Sequence, residues 1–472
     1  MLEILGFDTY GENRWIDSAQ LDLRSIRYGS RSRGAMTLPG YHDTMDISSQ
    51  TSRFIAAHRN QDVRDLALSA KRVDGLDLPF ALDQIAGWQT ACRKLPQWAE
   101  TDGIVYPPHI SMEQCSSQLA AQYKAGIARR VAGAGGAMVD LTGGFGVDCS
   151  YIARGFSRAV YVERQPHLCE LAAHNFRALG LPHMDVINGD AEDWLRGVVD
   201  SRAASADSAA VDSATAVPIA LIYLDPARRD AHGGRTYAIA DCTPDVLALK
   251  DRLLAVSPHV MVKLSPMLDW RKTVADFNGS VGEVHIVSTG NECKELLLVL
   301  DGKAAGATSD AAAADTRAPH VYCVNDDQRL DYDAAAYTRG LRIGDAPLPH
   351  KLRYLYEPNA SIMKAGCFDV VEARFGAVQI GPSSHLFVSD EPVDGFPGRG
   401  FAIETIGGMG KKELKRLLSG LDRANIAVRN FPLTAPQLRK KLKLADGGDA
   451  YLFGTTMQGG DHVLIRTAKI SR

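Results

Sequence analysis

This 472-residue sequence lacks several features that define other protein classes. It has no run of about 18 or more apolar residues, which argues against a transmembrane helix. The first residues, MLEILGFDTYGENRW, have an early acid and no long apolar core, so we do not expect a secretory signal. The eight cysteines form no CxxC pair, which favours reduced thiols over a disulfide framework or a metal site. We therefore expect a cytoplasmic protein with no membrane span and no metal.

The net charge is small but unevenly distributed. It is −3 overall, whereas the stretch from Phe401 to Arg472 holds 13 Lys and Arg against 6 Asp and Glu, a local charge of +7 that leaves −10 for the rest. Such asymmetry indicates a polyanionic partner, although a solvated lysine-rich helix gives the same count. One predicted helix in this stretch carries four basic residues suited to phosphate contacts, namely Arg439, Lys440, Lys441 and Lys443.

Composition and periodicity divide the chain into regions. The predicted regions are a partly disordered segment over 1–48, a helical domain over 49–104, an α/β domain over 105–350, and two small α+β units over 354–400 and 401–470. Ala/Ser/Asp-rich stretches near 200–217 and 301–319 are predicted to be flexible inserts. We also expect one helix from Ser111 to about Val131.

Strand-like and helical segments alternate within the α/β region. The predicted strands are AMVDL, AVYVE, MDVINGD, IALIYLD, HVMVKL, EVHIVS and LLLVL, with helices between several of them. This alternation is typical of a doubly wound, Rossmann-like α/β fold with a mostly parallel sheet and helices on both faces. Ligands of such sheets bind beyond the carboxyl ends of the strands, so the residues that follow each strand are the candidate site.

A glycine turn follows the first of these strands. Its residues are Asp140, Thr142, Gly143, Gly144, Phe145 and Gly146. Glycine backbone can approach a ligand with no Cβ in the way, although such turns also serve packing alone. Asp148 follows closely and the third glycine comes too early for G-x-G-x-x-G. A dinucleotide, whose pyrophosphate lies on a helix N-terminus, therefore fits less well than a cationic ligand without phosphates.

Acids follow the next three strands. Glu163 lies 23 residues beyond Asp140, a spacing that lets an acid accept hydrogen bonds from both ribose hydroxyls. Asp190, followed by Ala191, can accept from the exocyclic amine of an adenine. The fourth strand ends in Asp225–Pro226. Glycines and acids in this order indicate a nucleoside ligand.

In this order and spacing, the set resembles the class I S-adenosylmethionine-dependent methyltransferases over about residues 105–300. The glycine turn with its aspartate resembles their first motif, and the three acids resemble the second, third and fourth. The resemblance implies that S-adenosylmethionine is the cofactor, that the turn lies against its methionine part, and that Glu163 holds its ribose. It also implies that the helix containing SMEQCSSQ covers the methionine end, where Gln114, Ser116 and Ser117 are candidate hydrogen-bond partners.

The fourth motif departs from the (N/D)-P-P-(Y/F) form of enzymes that methylate exocyclic amines. The segment DPARRD keeps Asp225 and Pro226 but has Arg228 in place of the aromatic residue. Arg228 and Arg229 favour an anionic substrate, unless one of them forms a structural salt bridge. Lys263, after the fifth strand, is either a cation facing the substrate or the partner of an acid.

Pyrimidine C5 methylation would instead need a cysteine thiolate near the methyl donor. Cys242 and Cys293 lie downstream, but neither has the expected Pro-Cys or Ser-Cys context. Lone cysteines are usually buried apolar residues.

The C-terminal stretches LYEPNASIMKAGCFDVVEARFGAVQIGPSSHLF and RNFPLTAPQLRKKLKLADGGDAYLFGTTMQGGDHVLIRTAK resemble the ferredoxin-like and THUMP-like units of a bacterial methyltransferase family. THUMP domains proper present tRNA or rRNA to an attached enzyme. We therefore expect an S-adenosylmethionine-dependent RNA methyltransferase in which Asp225, Pro226, Arg228 and Lys263 act at the acceptor. The alternatives are a methyltransferase of proteins or small molecules, and a non-catalytic RNA-binding protein with a relic cofactor pocket.

Overall fold

The computed structural model describes residues 36–37, 47–70, 73–206, 217–228, 239–301, 318–337 and 347–470. Most of the predicted disordered segment and much of the two predicted inserts lie outside these ranges. The chain divides into two compact units. The first is Met1–Ile222 with Ala255–Ser257, and the second is Tyr223–Leu254 with Pro258–Arg472.

Apart from strand β1 (Met36–Thr37), the first unit begins with helices. They are α1 (Ser49–His58), α2 (Val63–Ser69), α3 (Leu78–Lys94), α4 (Pro96–Glu100), α5 (His109–Gln114) and α6 (Gln118–Ala132). The single helix expected from Ser111 to Val131 is thus wrong. The chain leaves α5 at Cys115, and the Ser117 side chain starts α6 by accepting a hydrogen bond from the Ala120 N–H.

Four further strands and three helices complete the first unit. They are β2 (Ala137–Asp140), α7 (Val147–Ile152), β3 (Arg158–Glu163), α8 (Pro166–Ala178), β4 (Met184–Asn188), α9 (Ala191–Ala206) and β5 (Ile219–Leu224), whose last two residues belong to the second unit. The strand order is β1-β4-β3-β2-β5, and β3 is parallel to both β2 and β4. Helix α9 continues to Ala206, so the predicted insert near 200–217 begins as helix.

The second unit opens with the other α/β elements. They are β6 (Ala227–Arg228), β7 (Cys242–Thr243), α10 (Val246–Val256), β8 (His259–Leu264), α11 (Trp270–Asp276), β9 (Val281–Thr289), β10 (Glu292–Asp301), β11 (His320–Asn325) and β12 (Gln328–Asp333). The order β8-β10-β9-β11-β12 is largely antiparallel, unlike the mostly parallel sheet expected. Gly290 and Asn291 both have positive φ and close the β9–β10 hairpin. The α/β fold class itself is confirmed.

A separate sheet follows in the C-terminal part of the second unit. Its elements are β13 (Tyr354–Pro358), α12 (Ala360–Ala365), α13 (Phe368–Phe375), β14 (Val378–Gln379), β15 (Phe387–Ser389), β16 (Gly398–Gly407), α14 (Lys411–Leu417), β17 (Arg423–Arg429), α15 (Ala435–Leu442), β18 (Ala445–Thr456) and β19 (His462–Lys469). The order is β14-β15-β13-β16-β19-β18-β17. Helix α13, which includes the residues VVEARF, ends at Gly376, whose backbone is left-handed.

The two sides of this C-terminal sheet have different cores. Phe453 packs with Leu355, Phe401 and Ile465 on one side. Leu452, the preceding residue of β18, packs on the other side with Leu438 of α15. This alternation is what a strand buried on both faces requires, because successive side chains point to opposite faces.

Candidate functional site

Two of the three glycines in the turn after β2 are explained by packing within the protein. A Cβ on Gly143 would lie 2.2 Å from the Tyr161 ring, and one on Gly146 would lie 2.9 Å from the Phe176 ring. The Tyr161 hydroxyl also donates to the Gly144 carbonyl. At these two positions the turn is glycine because aromatic rings of neighbouring elements occupy the space.

Gly144 is different. Its φ is +55°, and the nearest atom to a Cβ placed there would be the Thr142 carbonyl oxygen at 3.8 Å. The Gly144 N–H donates to Glu163 Oε2 at 3.0 Å. Gly144 is therefore the position in the turn where bare backbone has room beside it.

Glu163 ties this turn to the end of β3. Its Oε1 accepts the Gln165 N–H at 2.8 Å, while Oε2 accepts that of Gly144, and the side chain is buried. A carboxylate offers about four lone pairs, so two backbone donors leave acceptor capacity for hydroxyl groups. The acid predicted for the ribose is thus held rigidly by backbone at the strand end.

Other predicted cofactor residues have local structural partners. Buried Asp140 accepts the Thr142 N–H at 2.9 Å and so shapes the start of the turn. The Phe145 ring lies 4.9 Å from that of Trp98 in α4. Exposed Asp190 accepts the Glu192 N–H at 2.8 Å as α9 begins, and Ala191 beside it is buried. Their roles toward a cofactor stay predictions.

A buried ion pair beside the turn was not foreseen. Lys124 Nζ lies 3.1 Å from Asp148 Oδ1, and both groups bond to the Ser116 hydroxyl, each at 2.9 Å. The Lys124 side chain is 0% exposed. The sequence offers one indication that Lys124 is buried: helical periodicity places it on the same face of α6 as Ala121 and Ile127. Since Asp148 is neutralised, the argument against a phosphate ligand depends on the glycine spacing alone.

In the second unit, Lys263 is the partner of an acid. Lys263 Nζ lies 2.5 Å from Asp225 Oδ2, at the ends of β8 and β5. The Lys263 side chain is 14% exposed and that of Asp225 is 41% exposed. Pro226 after it is buried. The pair leaves the aspartate partly open to solvent.

The arginines of this motif are only partly described. The backbone of Arg228 belongs to β6 and pairs with Cys242 in β7. The Arg228 side chain, and Arg229 as a whole, lie outside the described residues, so their roles stay predictions.

The two candidate cysteines are poorly suited to form thiolates. Cys242 is buried. Burial raises the pKa of the Cys293 thiol, as does nearby Glu295 to a smaller extent, which opposes thiolate formation. Within the described ranges, no His, Cys, Asp and Glu side chains form a group of three or more that could hold a metal. No helix in the described part of the chain has both the length and the apolar character that a membrane crossing requires.

The basic residues of α15 divide into two groups. Thr434 and Gln437 form a capping box at the start of this helix. Arg439 is half-buried and pairs with Asp446. Lys440, Lys441 and Lys443 are exposed. Of the four basic residues, only the three lysines are exposed to solvent.

Comparison with known proteins agrees with this architecture. One family model, described as THUMP domain-like, matches residues 398–469, and another, described as a ferredoxin-like domain, matches residues 354–397. A candidate methyltransferase from Porphyromonas gingivalis W83 has 31% sequence identity and a TM-score of 0.73, with 89% of this chain and 98% of that chain covered. This chain belongs to the class I methyltransferase family with ferredoxin-like and THUMP-like C-terminal domains.

Two further solved structures match this chain much less well. An rRNA methylase from Streptococcus thermophilus is 12% identical over 38% of this chain and 93% of its own, with a TM-score of 0.26. An O-methyltransferase from Bacillus cereus in complex with SAH is 11% identical over 53% of this chain and 99% of its own, with a TM-score of 0.31. Similarity at this level carries no information about substrate. No curated protein matches the sequence significantly.

Proposed function

We propose that this protein transfers a methyl group from S-adenosylmethionine to RNA, at a tRNA or rRNA base. The cofactor assignment rests mainly on the hydrogen bond between the Gly144 N–H and the Glu163 carboxylate. It joins the one glycine of the turn with open space beside it to a buried carboxylate with spare acceptor capacity. These are the groups that an amino-acid tail and a ribose require.

When bound, the cofactor supplies an activated methyl group on a sulfonium. Glu163 would hold the ribose, Asp190 would hold the adenine, and Ser117 would hold the amino-acid end. Asp225, oriented by Lys263, accepts a hydrogen bond from the acceptor group. The chain contributes mainly proximity and alignment, and less acid–base chemistry.

RNA as the substrate is supported by the THUMP-like match and by charge. The region from Phe401 to Arg472 carries a charge of +7. Three of its lysines, Lys440, Lys441 and Lys443, are exposed at the end of α15. Lysines presented in this way bind phosphates without reading sequence.

The cofactor proposal is tested by calorimetry with S-adenosylmethionine. The wild-type protein is expected to bind, and Glu163→Ala is expected to lose about tenfold or more in affinity, because the ribose loses a charged acceptor. Glu283→Ala, a change of the same type in β9, serves as the control. No binding by the wild-type protein would contradict the proposal.

The substrate proposal is tested by mass spectrometry of nucleosides. Total RNA from cells with and without the protein is compared, and the purified protein is then given RNA from the deficient cells. We expect one methylated nucleoside to disappear without the protein and to return in the reaction. If no methylated nucleoside changes, RNA is not the substrate, even where the cofactor binds.

The α15 surface is tested by salt dependence of RNA binding. Replacing Lys440, Lys441 and Lys443 with alanine should reduce the slope of log affinity against log salt by about 2–3, since each lost phosphate contact removes roughly 0.7–0.9. The matched control replaces Lys411, Lys412 and Lys415 of α14, which are also exposed. Equal effects in both variants would remove the assignment to α15.

A further inference from the structure

We infer that Lys124 is a positioning residue for the amino-acid end of the cofactor site. The inference rests on the proposed function, which assigns that end of the ligand to the glycine turn and Ser117. Lys124 is fully buried, so it does not touch a ligand and acts through Ser116 and Asp148.

The three polar groups form a closed triangle that spans three segments. Ser116 lies in the break between α5 and α6, Lys124 lies in α6, and Asp148 lies in the first turn of α7, two residues after Gly146. The serine hydroxyl donates to Asp148 Oδ2 and accepts from the lysine, which also meets Asp148 Oδ1. The triangle therefore sets the distance between the break and the glycine turn.

Stability alone does not explain a buried ion pair. Removing two charges from water costs several kcal/mol per ion, and well-packed apolar residues of similar volume are often as stable or more so. What a hydrogen-bonded pair adds is a defined geometry. Here that geometry concerns the two segments that the proposed function places against the ligand.

Additional hydrogen bonds hold the chain on either side of the break between α5 and α6. The Tyr151 hydroxyl in α7 donates to Gln118 Oε1, the first residue of α6, at 3.1 Å. Lys94 Nζ donates to the carbonyls of Met112 and Glu113 at 2.8 and 2.6 Å, at the end of α5. The break at Cys115–Ser117 is thus anchored from both sides, with the Lys124 triangle nearest the turn.

The test compares two ligands that differ only in the amino-acid end. S-adenosylhomocysteine carries it, whereas 5′-methylthioadenosine has the same nucleoside without it. For Lys124→Met, calorimetry is expected to show about tenfold weaker binding of S-adenosylhomocysteine and under about threefold weaker binding of methylthioadenosine. A role in stability alone would weaken both ligands equally.

Two further variants guard against loss of folding. K124M/D148N removes both charges, so no unpaired ion is left buried. It should fold and still bind S-adenosylhomocysteine about tenfold more weakly than the wild-type protein. R158M/D185N removes the Arg158–Asp185 pair, whose Nε and Oδ2 lie 2.7 Å apart between β3 and β4 of the same unit, and should leave both affinities unchanged.

The outcomes separate the inference from the proposed function. If the wild-type protein binds both ligands and the folded K124M/D148N variant binds them as the wild type does, Lys124 is not a positioning residue. An equal loss for both ligands also overturns the inference. If the wild-type protein binds neither ligand, the proposed cofactor falls and the inference falls with it.

Discussion

The glycine-turn region of the first unit and the strand ends around Asp225 in the second each contain a lysine–aspartate pair, but they expose it differently. The side chains of Lys124 and Asp148 are 0% and 10% exposed, whereas those of Lys263 and Asp225 are 14% and 41% exposed. In the first region the pair is closed by a serine hydroxyl. In the second, water still reaches the acid.

The same two residue types therefore serve different purposes. If one partner of a buried pair is removed, the other charge stays buried without compensation, so the pair holds its surroundings in one arrangement. A partly exposed pair contributes little to stability, since solvent screens the charges, and its aspartate stays accessible to another molecule. Burial thus distinguishes the pair that fixes local geometry from the pair whose aspartate stays accessible.

The largest expected difference in stability comes from replacing the aspartate of each pair. Asp148→Ala should lower the free energy of unfolding by about 3–5 kcal/mol, because Lys124 is left buried without its carboxylate. Asp225→Ala should cost about 0–1 kcal/mol. Denaturant unfolding of both variants measures the difference, and similar losses would refute the contrast.

A smaller effect distinguishes two glycines within the first region. Gly143→Ala should cost about 1–3 kcal/mol, because the new methyl group collides with the Tyr161 ring. Gly144→Ala should cost about 1 kcal/mol for its left-handed backbone, yet weaken S-adenosylmethionine binding more than Gly143→Ala does. Thermal unfolding and calorimetry check the two parts. A reversed order of affinities would show that Gly143, and not Gly144, borders the ligand.

The last prediction concerns stability at alkaline pH. Cys169 donates to the Glu163 carbonyl, and burial is the main cause that raises the pKa of its thiol to about 11. The thiol of an unfolded chain has a pKa of about 8.5. Below that pH the contribution of Cys169 to folding stability is fully present, and it is lost as the pH rises toward 11. At pH 10 the loss should be about 1–2 kcal/mol. Cys169→Ala should flatten this part of the stability profile, and an unchanged profile would assign the loss to other groups.

Much of the fold and of the candidate site could be predicted because the signals were local. Strand ends with their glycines and acids can be recognised along the chain, and so can the basic helix of the C-terminal sheet. The β11–β12 hairpin was missed because its alternation is short, although Asp326 at its turn has positive φ. The break at Cys115–Ser117 was missed because a serine inside a helical pattern gives little warning.

Contacts between distant segments could not be predicted. The reason for glycine at position 143 is the Tyr161 ring, 18 residues away. The partner that neutralises Asp148 is Lys124, 24 residues away in another helix. Likewise Arg439, expected to face phosphate, pairs with Asp446 once the chain folds back. Each depends on how elements pack, which single-sequence patterns do not contain.

The contact between Phe145 and Trp98 packs helix α4 against the glycine turn. Val105 and Asn175 reinforce it by exchanging two hydrogen bonds, at 2.9 and 2.8 Å, between the chain after α4 and helix α8. A truncated protein that keeps only the Rossmann-like core would lack these contacts. A fragment that begins after α4 would lose the Trp98–Phe145 contact and should therefore be less stable than the full chain.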